Sequence, residues 1–240
     1  MNNENQFKLL FLDTETTGRE EKDRIFQVAY DYKDVEYSEL FTPPLPICIE
    51  AMEATGYTNK DVAGKEKFAE SKMYTELRGI MQNAQTVFIA HNAAFDIEML
   101  RRDGIETGAF IDTLKIARHL DPEAKLGAYR LQYLRYALEL EVGDAQAHDA
   151  LGDVRVLKAL YNRLSKKLSV GEMIEISSKP VYIARITFGK HAGKLLADIA
   201  KEDRGYLEWL LRQKEEDAED SHDQNEDWIY SLKKVLGIMI

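Results

Sequence analysis

The sequence predicts an α/β protein whose first three strands form an antiparallel meander. Two observations carry this. Residues 9–12, 24–32 and 35–41 are apolar or alternating segments joined by short links, the last two separated only by Lys33-Asp34. Further along, short apolar runs at 86–90 and 109–111 each lead into a segment of helical periodicity, as in a sheet covered by helices.

The run Leu-Leu-Phe-Leu at 9–12 reads as a buried strand and ends in Asp13 and Glu15, which a period of two places on one face. Neighbouring carboxylates resist ionising together. The residues around them are Thr14, Thr16 and Thr17 rather than Lys or Arg, so a hard divalent cation held by oxygens is the simplest balancing charge. Pro43, Pro44 and Pro46 then stop the sheet, and 49–54 and 68–83 read as helices. After the strand at 86–90 comes His91-Asn92-Ala93-Ala94-Phe95-Asp96. Asn92 is a suitable N-cap for a helix that turns Phe95, Met99 and Leu100 inward. Asp96 falls in the first turn, where complementing the helix dipole would by itself account for it. Asp112 reads as the cap of a helix over 113–120. Residues 131–140 read as a helix packing through Leu131, Leu134, Tyr136 and Leu138, ended by Gly143 and Asp144. Ala150, Val154, Leu157, Tyr161 and Leu164 make the buried stripe of a long helix. Asp153 lies on its adjacent face and His148 at or before its start; taken alone, this pair reads as a cap.

At 240 residues the chain has room for one large domain or a domain with a small appendage. The net charge is −10, but eight of the acids lie in 215–227, a segment without Lys or Arg that reads as a solvated linker. The remainder is near neutral and compatible with a phosphate-backbone substrate, though unsuited to holding long duplexes by bulk charge. A single cysteine, Cys48, fits a reducing compartment. The polar N-terminus lacks a signal pattern, and no apolar run approaches the ~18 residues of a membrane span. A soluble cytoplasmic protein with no membrane partner is expected.

Asp-Thr-Glu-Thr-Thr-Gly at 13–18, His-Asn-Ala-Ala-Phe-Asp at 91–96 and His-Asp-Ala-Leu-Gly-Asp at 148–153 together resemble the three motifs of the DEDDh 3′→5′ exonuclease superfamily, which includes epsilon-type proofreading subunits. The resemblance covers roughly 7–166. It implies a ribonuclease H-like mixed sheet, antiparallel in its first strands and flanked by helices. It assigns Asp13, Glu15, Asp96 and Asp153 to metal binding, His148 to general base catalysis, and Thr16, Thr17, His91, Asn92 and Phe95 to the pocket for the terminal nucleotide. The cofactors it implies are two divalent ions, Mg²⁺ or Mn²⁺. Gln27 stands where an acid is common in the family.

A second resemblance joins 186–194 (Ile-Thr-Phe-Gly-Lys-His-Ala-Gly-Lys) and 205–210 (Gly-Tyr-Leu-Glu-Trp-Leu) to the tail of the exodeoxyribonuclease X branch. It divides the chain into a DEDDh exonuclease domain, 1–168, and a small α+β C-terminal region, 169–240, containing the acidic linker 215–227. Gly189 and Gly193 suggest a turn displaying Lys190, His191 and Lys194 to DNA, with Trp209 expected in the core. The implied activity is hydrolysis at the 3′ end of DNA, preferably single-stranded, releasing nucleoside 5′-monophosphates in repair or end processing. Trimming of RNA ends, proofreading beside a polymerase and a non-catalytic nucleic-acid-binding module are the alternatives. No linear polymerase-binding segment is evident.

Overall fold

The computed structural model describes residues 7–143, 150–220 and 225–238. The predicted meander is present as β1 (Lys8–Thr16), β2 (Ile25–Tyr32) and β3 (Val35–Leu40), paired antiparallel in sequence order. Lys33 and Asp34 both take positive φ, the two-residue turn whose twist matches that of the flanking strands. Three short helical pieces, α1 (Ile49–Thr55), α2 (Asn59–Val62) and a 3-10 turn at Phe68–Glu70, lead to α3 (Lys72–Met81). The single helix expected over 68–83 is therefore broken at Ser71. Its hydroxyl accepts from the Tyr74 N–H at 3.0 Å and donates to the Phe68 carbonyl at 2.8 Å, capping a new helix instead of continuing the old one.

Next come β4 (Thr86–Ala90), α4 (Ala93–Arg102), β5 (Phe110–Asp112) and α5 (Thr113–Leu120). The sheet order is β3-β2-β1-β4-β5, with β1 parallel to β4 and β4 parallel to β5. β1 is thus the central strand of a mixed sheet. Leu10 and Leu12 pack on one face with Leu77 of α3 and Met99 and Leu100 of α4. Phe11, Val87 and Ile89 pack on the other with Ile116 of α5. That second face is covered further by α6 (Leu131–Ala137), α7 (Ala150–Leu164) and α8 (Val170–Ser177). Met173 of α8 belongs to the same cluster, so this core draws on residues beyond 168. α6 ends earlier than expected: Glu139 takes φ +50°, and Tyr136 is 72% exposed rather than packed.

The C-terminal region adds α9 (Leu196–Glu202), α10 (Arg204–Asp220) and α11 (Asn225–Leu236) around Ile186, Leu196, Leu207 and Leu232. Its extended pairing among the described residues is a lone bridge, Arg185 with Leu195, so helices rather than an α+β mixture carry this core. Trp209, expected in the core, is 47% exposed. The acidic stretch 215–227 is not a plain linker. Residues 215–220 complete α10 and 225–227 open α11, leaving 221–224 as the connection outside the described residues.

Asp227, read from sequence as a linker acid, is buried. It accepts the Val181 N–H at 2.9 Å and pairs with Arg118 at 3.4 Å and Lys115 at 3.6 Å, tying α11 to α5. Removing one partner of such a buried group leaves the opposite charges unbalanced. Asp227→Ala is expected to lower stability by about 3 kcal/mol, read as a shifted urea midpoint of the full chain.

Candidate active site

Asp13 and Glu15 project from the face of β1 that also carries Phe11, whose ring meets Tyr161 of α7 edge-on at 5.3 Å. Burial of Ala150, Val154 and Leu157 seats α7 against that face and brings Asp153, in its first turn, to the two strand carboxylates. Ligand oxygens of Asp13, Glu15 and Asp153 lie within 4.8 Å of one another, and all three residues are half-buried. Gln132, on α6, donates its side-chain amide to Asp153 Oδ1. Three carboxylates with no Cys or His among the described residues joining them form an all-oxygen set suited to a hard divalent cation rather than zinc.

The fourth predicted carboxylate stands apart from this trio. Thr14 faces the other side of β1, and both its N–H and its hydroxyl donate to Asp96 Oδ1, at 3.1 and 2.7 Å. Burial raises the Asp96 pKa well above the usual carboxylate range, against the pull of the two Thr14 donors. Asn92 occupies the N-cap position of α4 but does not cap it through its side chain, because its φ is +74°. Its N–H donates instead to Asp112 Oδ1 at 3.0 Å, while Asp112 caps α5 as expected.

The pocket residues divide. Thr16 and Phe95 join Glu15 in lining an open cleft of about 910 Å³, whose rim carries Arg19 and Lys22. Thr17 does not reach the cleft: it is fully buried, and its hydroxyl donates to Asp23 Oδ1 at 2.7 Å. The Glu20 N–H donates to the other oxygen of Asp23, also at 2.7 Å, so Asp23 closes the loop that forms the rim. Gly18 is required there, since a Cβ would meet the Asp23 carboxylate at 2.5 Å. His91 and Asn92 line a separate cavity. His91 Nε2–H donates to the Tyr129 carbonyl at 2.7 Å, which leaves Nδ1 to accept from the Thr113 hydroxyl at 2.9 Å. His148 lies outside the described residues.

Sequence reading missed Gln132, Asp23 and Arg19. Gln132 sits in a short helix with no motif around it, and its partner is 21 residues away. Asp23 was recoverable in principle from the buried Thr17 hydroxyl next to a glycine, which needs an acceptor close by in the chain.

Carboxylates clustered at the end of a central strand, one of them, Glu15, lining an open cleft, are a donor set suited to metal-assisted hydrolysis of phosphate esters. The chain belongs to the exonuclease family, whose model matches residues 10–161, and residues 186–215 match the exodeoxyribonuclease X-like C-terminal model. It is 30% identical over 210 residues to exodeoxyribonuclease 10 of Escherichia coli strain K12, covering 85% of this chain and 90% of that protein. It is 31% identical over 166 residues to the DNA polymerase III subunit epsilon of Treponema pallidum, covering 63% of this chain and 74% of the relative. Among solved structures, exonuclease X in complex with 5′ overhanging duplex DNA superposes with a TM-score of 0.58 at 27% identity, over 70% of this chain and 99% of that one. These bear out the ribonuclease H-like mixed sheet and the family reading. No helix among the described residues is long and apolar enough to cross a membrane.

Two outcomes follow from the geometry. Gln132→Ala, which removes one hydrogen bond to the Asp153 carboxylate, should weaken Mn²⁺ binding roughly tenfold by titration. Burial lowers the His91 pKa from 6.5 to about 4, so His91 is neutral in the folded protein at neutral pH. Below pH 6.5 the unfolded chain takes up the proton and the folded one does not, so stability falls as pH drops from 6.5 to about 4. His91→Gln should remove on the order of 2 kcal/mol of that pH dependence, read from urea midpoints across the range.

Proposed function

We propose that this chain hydrolyses phosphodiester bonds from the 3′ end of DNA, preferring single strands and releasing nucleoside 5′-monophosphates in repair or end processing. The observation that carries this reading is the carboxylate trio of Asp13, Glu15 and Asp153, of which Glu15 lines the cleft together with Thr16 and Phe95. The choice of DNA over RNA is supported by the relative named exodeoxyribonuclease 10 and by the superposable complex with overhanging duplex DNA. A cytoplasmic location goes with this reading.

Asp13, Glu15 and Asp153 would hold a divalent cation, and Asp96 is assigned to a second; Mg²⁺ or Mn²⁺ suits the oxygen donors. When bound, the cations supply neutralisation of the scissile phosphate and acidification of water. His148 takes the proton from the attacking water as its oxygen adds to phosphorus; the bond from phosphorus to the 3′ oxygen breaks, and that oxygen is protonated as it leaves. Phe95 offers a ring to the terminal base, and Thr16 shapes the floor beneath it. We divide the chain into an exonuclease domain, 1–168, and a C-terminal region, 169–240; the separate cluster around α9–α11 supports this, while α8 packs onto the first domain.

The test is digestion of matched 5′-labelled single-stranded DNA and RNA with Mg²⁺, Mn²⁺ or EDTA. A metal-dependent ladder shortening from the 3′ end of DNA is expected. Preference for RNA would move the enzyme to the ribonuclease branch, and binding without cleavage would overturn catalysis. Asp13→Ala should lower the rate at least about 10³-fold. His148→Ala should lower it roughly 10²–10⁴-fold and leave a residual rate that climbs with pH as hydroxide replaces the base.

A further inference from the structure

Between the body and the C-terminal region lies a second cavity of about 740 Å³, which shares Arg19 with the cleft beside Glu15. Four arginines line it: Arg19 at the cleft end, Arg118 from α5, Arg130 before α6 and Arg185 from the C-terminal region. Two of them are committed within the fold. Arg118 pairs with Asp227 at 3.4 Å, and Arg185 donates to the Gly193 carbonyl and, at 3.4 Å, to that of Ala124. Arg19 and Arg130 are exposed and make no side-chain hydrogen bond or ion pair among the described residues. The acid in the lining, Asp121, accepts from the Leu126 N–H at 2.8 Å and from the Tyr129 hydroxyl at 2.9 Å, which occupies it within its own loop. Trp228 reaches the same cavity, its ring edge-on to the half-exposed Phe188 at 5.2 Å.

The basic turn looks different. Lys190 pairs with Asp203 at 2.7 Å and Lys194 with Glu202 at 2.6 Å, so its charges are balanced where they stand. Arg19 and Arg130, by contrast, line the cavity with no ion pair among the described residues.

We infer that this arginine-lined cavity is the track for the strand upstream of the terminal nucleotide, with Arg19 and Arg130 on its phosphates and Trp228 beside its bases. The inference rests on the exonuclease reading for its substrate. A groove that combines free cations with an aromatic face suits a single strand of any sequence. Its continuity with the cleft through Arg19 supplies the direction.

The test is binding of a labelled single-stranded DNA of about twelve nucleotides to the full chain in EDTA, which needs no catalysis, as a function of salt. Arg19→Ala with Arg130→Ala should weaken binding about tenfold at low salt and flatten the slope of log K against log salt by about 1.4, near 0.7 per phosphate contact. Lys190→Ala with Lys194→Ala should leave both unchanged. An unaltered slope in the arginine variant, or an equal loss in the lysine variant, would overturn the track. Cleavage of the same strand and of a dinucleotide by the unaltered protein is read separately with Mg²⁺. Failure there would remove the exonuclease reading while the binding result still judges the track.

Discussion

Three carboxylates held within 4.8 Å of one another repel, by roughly 3 kcal/mol per pair at an effective dielectric near 20, and the rest of the domain is arranged to hold them there. Asp13 and Glu15 cannot withdraw because β1 is fixed on both sides, antiparallel to β2 and parallel to β4. Asp153 cannot withdraw because α7 is anchored through Val154, Leu157 and Leu160, and because Gln132 holds its carboxylate. Apolar burial on both faces of the sheet thus offsets the charge concentrated at the end of its central strand. A divalent cation would turn that repulsion into binding.

The two faces of β1 divide the work. On the face toward α7, the carboxylates converge; on the face toward α4, Thr14 gathers Asp96 through two hydrogen bonds. The following residues of the same motif are structural. Thr17 and Gly18 let Asp23 close the loop beside the cleft, and Arg19 and Lys22 ride on that loop. One stretch, 13–23, therefore supplies two of the clustered carboxylates, the brace for Asp96 and the shape of the cleft's rim.

The C-terminal region is joined to the body by buried polar contacts. Asp227 meets Arg118 and Lys115 of α5, and Arg185 donates to the Ala124 carbonyl at 3.4 Å. Attachment of this kind fixes orientation, because a buried charge or hydroxyl displaced from its partner loses more than a displaced methyl group does. That orientation sets the arginine-lined cavity beside the cleft and turns the neutralised Lys190 and Lys194 elsewhere.

The sequence by itself determined the strands and the three acids that cluster, since β1 and α7 are local patterns. Alternation puts Asp13 and Glu15 on one face, and a helical stripe from Ala150 to Leu164 leaves Asp153 beside it. The Lys33-Asp34 turn and the Asp112 cap were readable for the same reason: each is decided by residues a few positions apart. What only the tertiary structure decided depends on partners distant in the chain. His91 was expected in the pocket beside Thr16 and Phe95 and instead lines the other cavity, held by Tyr129 and Thr113. Asp227 was read as part of a solvated acidic run and is buried against α5. Trp209 was expected inside and is half exposed. In each case the residue type was informative but its environment was not, because burial and pairing are set by which surfaces meet after the elements have formed, and no local spacing encodes that meeting.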